Sequence, residues 1–99
     1  MSVYFIQAGE DGPIKIGHAK NVMARMAALQ TGQSARLKLL AKIPGGRLEE
    51  SSFHETFGDC RIDGEWFKPD VRLLNCIARL RGEKPAERLQ FYGLDPRTT

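Results

Sequence analysis

Cysteine is scarce in this chain, since its 99 residues include only Cys60 and Cys76. They form no CxxC pair, and a structural zinc site needs about four close ligands, so the two indicate reduced thiols rather than a metal site. No apolar run approaches the roughly 20 residues of a membrane-spanning helix. The N-terminus also lacks the basic segment and long apolar stretch of a signal peptide. We therefore expect a cytoplasmic protein with no membrane association.

The size and composition are those of one small globular domain. Hydrophobic residues make up 41% of the chain and charged residues 27%, which is ordinary for a folded domain with a single core. We expect one domain over residues 1–93 and a flexible tail at residues 94–99. The net charge is +3, with the basic residues spread along the chain rather than in one block. This excess permits contact with a polyanion without requiring one.

The first 17 residues predict an antiparallel hairpin. Residues 3–7 are β-branched and aromatic, residues 8–13 have turn composition, and residues 14–17 alternate apolar and polar. Side chains alternate between the faces of a strand. If Ile14 and Ile16 pack with Val3 and Phe5, then Tyr4 and Lys15 emerge on the opposite side of the hairpin together.

The rest of the chain alternates helices with extended segments. Asn21 and Asp70 are each suited to cap a helix N-terminus. The predicted elements are a helix from 21 to about 30, a strand at 36–44, a helix at about 47–57, a short extended piece at 64–67, a helix at 71–80 and a short helix at 85–92. The order β-β-α-β-α-(β)-α predicts an α/β (α+β) fold, in which helices flank a small, mostly antiparallel three-stranded sheet.

Five elements in this order resemble the GIY-YIG nuclease superfamily over roughly residues 2–68. Ser2-Val3-Tyr4 stands in the place of the GIY tripeptide, and Lys15-Ile16-Gly17 stands in the place of YIG. Arg25 follows at the expected distance, and Glu50 lies in the later helix. The pattern Glu50-x-x-Phe53-His54-x-x-Phe57, followed by the Gly-Glu-Trp-Phe run at 64–67, resembles the branch with KIG in place of YIG. Members of that branch are often labelled as phage or meiosis-associated DNA-binding domains.

The resemblance implies a metal-dependent endonuclease that hydrolyses phosphodiester bonds in DNA. Glu50 would be the ligand of a single Mg²⁺ or Mn²⁺, because hard cations prefer carboxylate oxygens. Arg25 has a planar guanidinium that can hold a phosphate through two hydrogen bonds. Tyr4 would be the general base, and we expect the positive charges of Lys15 and Arg25 to lower its pKa.

Two histidines and several cations complete the candidate set. His54 lies one turn after Glu50 and would either act beside it in catalysis or pack with Phe53 and Phe57. The expected nucleic-acid contacts are His18, Lys20, Arg36 and Lys38. Trp66 and Phe67 favour closure of the core over a base-stacking platform.

The alternative is a nucleic-acid-binding module of the same fold that cuts poorly or not at all. Many superfamily nucleases have histidine or tyrosine one turn after the arginine, where this chain has Leu29. The asparagine that often closes the site also has no counterpart at a suitable position. The partner is expected to be nucleic acid, most simply DNA, and a homodimer stays open as an alternative to a monomer.

Overall fold

The structure is a computed structural model that describes residues 1–83. The predicted short helix at 85–92 and the predicted tail at 94–99 lie outside the described residues. So does the predicted end of the domain at residue 93. Within residues 1–83, no helix is both long enough and apolar enough to span a bilayer.

The predicted N-terminal hairpin is present. Its strands are β1, Ser2–Ala8, and β2, Ile14–Ala19. Tyr4 pairs with Gly17, and Ile6 pairs with Lys15. Directly opposed residues of an antiparallel pair point to the same face, so Tyr4 and Lys15 share a face, as the alternation predicts.

The sheet has five strands where the sequence predicts three. The further strands are β3, Leu37–Pro44, β4, Arg61–Asp63, and β5, Trp66–Phe67. All pairs are antiparallel, in the order β3-β1-β2-β5-β4. β5 lies in the extended piece predicted at 64–67, whereas β4 was not predicted. Its three residues are all exposed, and a run of three is too short for a strand pattern to be recognised.

Three α-helices cover the sheet, in the mixed fold that was predicted. They are α1, Val22–Thr31, α2, Arg47–Thr56, and α3, Val71–Leu80. The Asn21 side chain accepts a hydrogen bond from the Ala24 N–H, and the Asp70 side chain accepts one from the Arg72 N–H. Both predicted caps are therefore present.

The helices lie on both faces of the sheet and divide the core into two clusters. On one face, α1 packs against the cluster that contains Tyr4 and Ile6. On the other face, α2 and α3 pack against the cluster that contains Val3, Phe5 and Ile16. Because both faces are covered, the side chains of β1 are buried on either side, and Tyr4 is as deeply buried as Phe5.

Candidate active site

The candidate site lies at the edge of β2, just beyond the point where β5 ends. β5 pairs with Ile14 and Lys15, and the Ile16 N–H donates to the Glu65 carbonyl (3.0 Å). Past Ile16, no strand among residues 1–83 pairs with this edge of β2. Side chains from both faces of the sheet can therefore meet around the open edge.

Glu50 reaches this edge from the first turn of α2. Its side chain is 13% exposed, and its two carboxylate oxygens face different histidines. Oε1 lies 2.5 Å from Nδ1 of His18, and Oε2 lies 3.5 Å from Nε2 of His54. The carboxylate is thus approached from β2 on one side and from its own helix on the other.

His54 connects the helix to the unpaired edge of the sheet. Its Nε2–H donates to the backbone carbonyl of Ile16 (2.9 Å), because a carbonyl oxygen can only accept. The imidazole thus bonds a β2 carbonyl that a neighbouring strand would otherwise bond, just beyond the end of β5. The His54 ring also packs edge-on to Phe67, with centroids 5.0 Å apart. His54 therefore contacts the carboxylate and the aromatic core at once.

His18 lies on β2 directly after Gly17. The register pairs His18 with Val3, which places it on the face covered by α2. Its Nδ1 contacts the Glu50 carboxylate, while 31% of its side chain is exposed. The sequence suggests His18 as a contact to nucleic acid, and its position beside Glu50 could not be foreseen from spacing along the chain.

Tyr4 approaches the same edge from the opposite face. Its ring lies across β2 directly against Gly17, so that a Cβ at position 17 would overlap both the phenol oxygen and the ring. Overlap of that kind forces something to move. The glycine of the second tripeptide therefore makes room for the tyrosine of the first.

Burial raises the pKa of the Tyr4 phenol above its ordinary value of 10.0. The negative charge of Glu65 raises it further, the positive charge of Arg25 lowers it, and the charge of Glu50 adds a smaller increase. Arg25 lowers this pKa as expected, but Lys15 is not among the charges that act on it, and the expected net decrease was wrong. Tyr4 is only 1% exposed, and loss of hydration penalises the phenolate more than one nearby guanidinium stabilises it.

Arg25 projects from α1 on the Tyr4 face of the sheet. Its side chain is exposed, and it makes no ion pair with any residue in the described part of the chain. Its charge nevertheless acts on the Tyr4 phenol. A free guanidinium in this position can bind a phosphate through two hydrogen bonds.

Lys15 is already engaged by two residues that the sequence did not identify as part of the site. Its ammonium lies 3.2 Å from a Glu65 carboxylate oxygen and 5.3 Å from the centre of the Trp66 ring. Only 14% of the Lys15 side chain is exposed. The sequence predicts the extended piece at 64–67 but not its partner strand. Pairing of this piece with β2 brings Glu65 and Trp66 beside Lys15. Phe67 is fully buried, whereas Trp66 is only partly buried.

A family profile, that of the T5orf172 domain, matches residues 1–81. The chain belongs to the T5orf172 domain family. This family is a GIY-YIG-like domain associated with phage nucleases, and the match identifies no particular branch of the superfamily. No curated protein and no solved structure matches the chain significantly.

The other predicted contact residues of this T5orf172 domain do not all lie beside the site. Lys20 is exposed at the end of β2 nearest His18. Arg36 and Lys38 are exposed at the start of β3, where Lys38 pairs with Gln7. Gln7 lies four residues along β1 from the residue that pairs with His18, which corresponds to about 13 Å. Arg36 and Lys38 therefore belong to the far end of the sheet.

The donor set around Glu50 fits one part of a divalent-cation site, not a complete protein cage. No group of three or more His, Cys, Asp or Glu side chains within residues 1–83 is arranged to hold an ion. Mg²⁺ is commonly bound through one or two carboxylates together with waters and substrate phosphates. A carboxylate offers about four lone-pair sites, and the two histidines occupy only part of them. Glu50 can therefore serve as a single protein ligand.

Proposed function

We propose that this domain is a metal-dependent endonuclease that hydrolyses phosphodiester bonds in DNA. One observation carries the proposal: the Tyr4 phenol lies against Gly17, the Glu50 carboxylate lies 2.5 Å from the ring of the next residue, His18, and the charge of Arg25 acts on the same phenol. The three groups come from α1, α2 and β1, so only the fold brings them together. Membership of a nuclease-associated family supports the same function.

Each group has a role suited to its chemistry. Arg25, exposed and unpaired among the described residues, would bind the scissile phosphate and stabilise its developing negative charge. Glu50 would hold Mg²⁺ or Mn²⁺, which supplies charge neutralisation when bound. Tyr4 would accept the proton of the attacking water as a phenolate. Because burial raises its pKa, only a small fraction is ionised at neutral pH, and we expect slow cleavage.

A nucleic-acid-binding module with little activity is the second candidate. Lys15 is held by Glu65 rather than free for a phosphate, and the Tyr4 pKa is raised rather than lowered. Leu29 packs against the Tyr4 cluster, where related nucleases place a polar side chain. All three features would reduce catalysis while leaving the positive charge of Arg25 available for binding.

Cleavage assays separate the two candidates. Supercoiled plasmid, branched DNA and RNA would be incubated with Mg²⁺, with Mn²⁺ and with a chelator. The variant Glu50→Gln keeps the shape of the side chain and removes its charge, and Glu55→Gln is a matched control on an exposed position of the same helix. Cleavage by the wild type and by Glu55→Gln, but not by Glu50→Gln, supports the enzyme. Equal cleavage by all three proteins indicates a contaminant, and binding without cleavage supports the module.

A further inference from the structure

The two histidines beside Glu50 use different ring nitrogens. His18 contacts Oε1 through Nδ1, whereas His54 faces Oε2 through Nε2. We infer that His18 and His54 are positioning residues that fix the orientation of the Glu50 carboxylate. His18 holds Oε1 by a hydrogen bond at Nδ1, whereas His54, whose Nε2–H is donated to the Ile16 carbonyl, lies 3.5 Å from Oε2 and limits its rotation. These two contacts together form the grip on the carboxylate. The importance of that orientation rests on the proposed function, in which Glu50 is the cation ligand, but the geometry of the grip is testable separately.

Each histidine is itself held in place. His54 is anchored by its hydrogen bond to the Ile16 carbonyl (2.9 Å) and by the Phe67 ring. His18 is carried by β2, whose pairing with β1 fixes its backbone. The carboxylate thus lies between an anchor on the sheet and an anchor on the helix. Outer-shell hydrogen bonds of this kind orient a ligand before the ion arrives.

The same geometry directs one ring nitrogen of His18 inward. An ionised carboxylate can only accept hydrogen bonds, so Nδ1 of His18 is the donor to Glu50. Nδ1 is therefore engaged by the carboxylate and is not available to a phosphate oxygen.

Amide substitutions distinguish the two nitrogens. The amide nitrogen of asparagine can occupy roughly the place of Nδ1, and that of glutamine roughly the place of Nε2. We therefore expect His18→Asn and His54→Gln to retain Mn²⁺ affinity to within about threefold. We expect His18→Gln and His54→Asn to weaken it by about 10- to 100-fold, as for other outer-shell losses. Calorimetry with Mn²⁺ alone gives the affinities, and thermal unfolding shows that each variant is folded.

The opposite pattern at position 18 would overturn the inference. If His18→Gln binds Mn²⁺ as the wild type does while His18→Asn does not, then His18 acts through Nε2. If all four substitutions have equal effects, the histidines contribute bulk rather than directed hydrogen bonds. Glu55→Gln again serves as the control, because it removes one charge from an exposed position of α2, whereas the carboxylate that both histidines pair with is that of Glu50.

Nitrogen NMR of the two rings tests the geometry with no metal or DNA present. We expect a proton on Nδ1 of His18 and on Nε2 of His54. A His18 ring with an unprotonated Nδ1 would refute the grip, whatever the activity. If the NMR pattern is as expected but neither Mn²⁺ binding nor cleavage depends on Glu50, the proposed function fails while the grip stands. If cleavage requires Glu50 but the pattern is absent, the grip alone fails.

Discussion

The backbone of Gly17 lies directly against the phenol ring of Tyr4 on the neighbouring strand. The two are a cross-strand pair, and a Cβ at position 17 would overlap the phenol. Glycine is required there because of this close approach rather than because of its backbone angles, since Gly17 is not among the glycines with positive φ. The two signature tripeptides are thus parts of one packing arrangement.

Gly17→Ala should therefore displace Tyr4. We expect a loss of about 1–3 kcal/mol in the free energy of unfolding, which is typical of an added methyl in a well-packed core. We also expect cleavage to fall, because the phenol leaves the edge of β2. Urea unfolding and the plasmid assay measure the two effects. Gly58→Ala is the matched control, since nothing lies within 4 Å of a Cβ at that position. Similar behaviour of the two variants would show that Tyr4 does not rest on Gly17.

The raised pKa of Tyr4 should be visible in an alkaline titration. The chain has two tyrosines, so the phenolate absorbance of the wild type minus that of Tyr4→Phe isolates Tyr4. We expect its midpoint to lie above 10.0, the ordinary value. Below that pH both the folded and the unfolded phenol are protonated, and Tyr4 contributes no pH dependence. Above it the unfolded phenol ionises first, so the contribution of Tyr4 to stability is lost as pH rises. A midpoint at or below 10.0 would contradict the burial argument.

The same pKa predicts how the cleavage rate depends on pH. If the phenolate is the base, its concentration rises about tenfold per pH unit while the pH is below the pKa. We expect the single-turnover rate at saturating Mg²⁺ to rise with pH up to alkaline values, with no plateau near neutrality. Tyr4→Phe should remove most of the rate. A plateau near neutral pH would assign the base to another group.

The charge of Glu65 should limit the phosphate binding of Lys15 and keep the pKa of Tyr4 high. It pairs with the Lys15 ammonium at 3.2 Å, and it is the charge that raises the Tyr4 pKa most. We expect Glu65→Gln to lower that pKa and to strengthen DNA binding about two- to tenfold at low salt, because one cation is released for a phosphate. Asp63→Asn is the control, since Asp63 is an exposed neighbour and the variant changes the net charge equally. If the two variants change the affinity for DNA equally, the net charge of the protein explains the result and the release of Lys15 does not.

The hairpin and its shared face could be predicted because they depend on local patterns. Alternation along residues 3–7 and 14–17 placed Tyr4 and Lys15 together, and the caps at Asn21 and Asp70 mark their helices without reference to the rest of the chain. The contact between His18 and Glu50 joins residues 32 positions apart. It depends on how α2 packs on the sheet, which no local pattern specifies.

The environment of Tyr4 could not be predicted for a related reason. Alternation identifies which side chains share a face, but it does not show whether that face is covered. Here α1 covers it, so Tyr4 is buried and its pKa moves opposite to the direction expected from the two cations alone. Lys15, which pairs with Glu65, is not among the charges that act on the phenol. β4 was not predicted because a strand of three residues is shorter than the runs from which alternation can be recognised.

Nucleic-acid binding should depend on salt through the cations of the Tyr4 face. If Arg25 contacts one phosphate, Arg25→Ala should reduce the slope of log affinity against log salt by about 0.9 for duplex DNA.

Arg79→Ala is the matched control. It removes the same charge from an exposed position on α3, which packs on the other face of the sheet, and its slope should equal that of the wild type. Titrations of labelled duplex at several salt concentrations give the slopes. A wild-type affinity that does not change with salt would argue against a polyanionic partner. Equal slopes for the two variants would mean that the charge of Arg25 acts on binding only through the net charge of the protein.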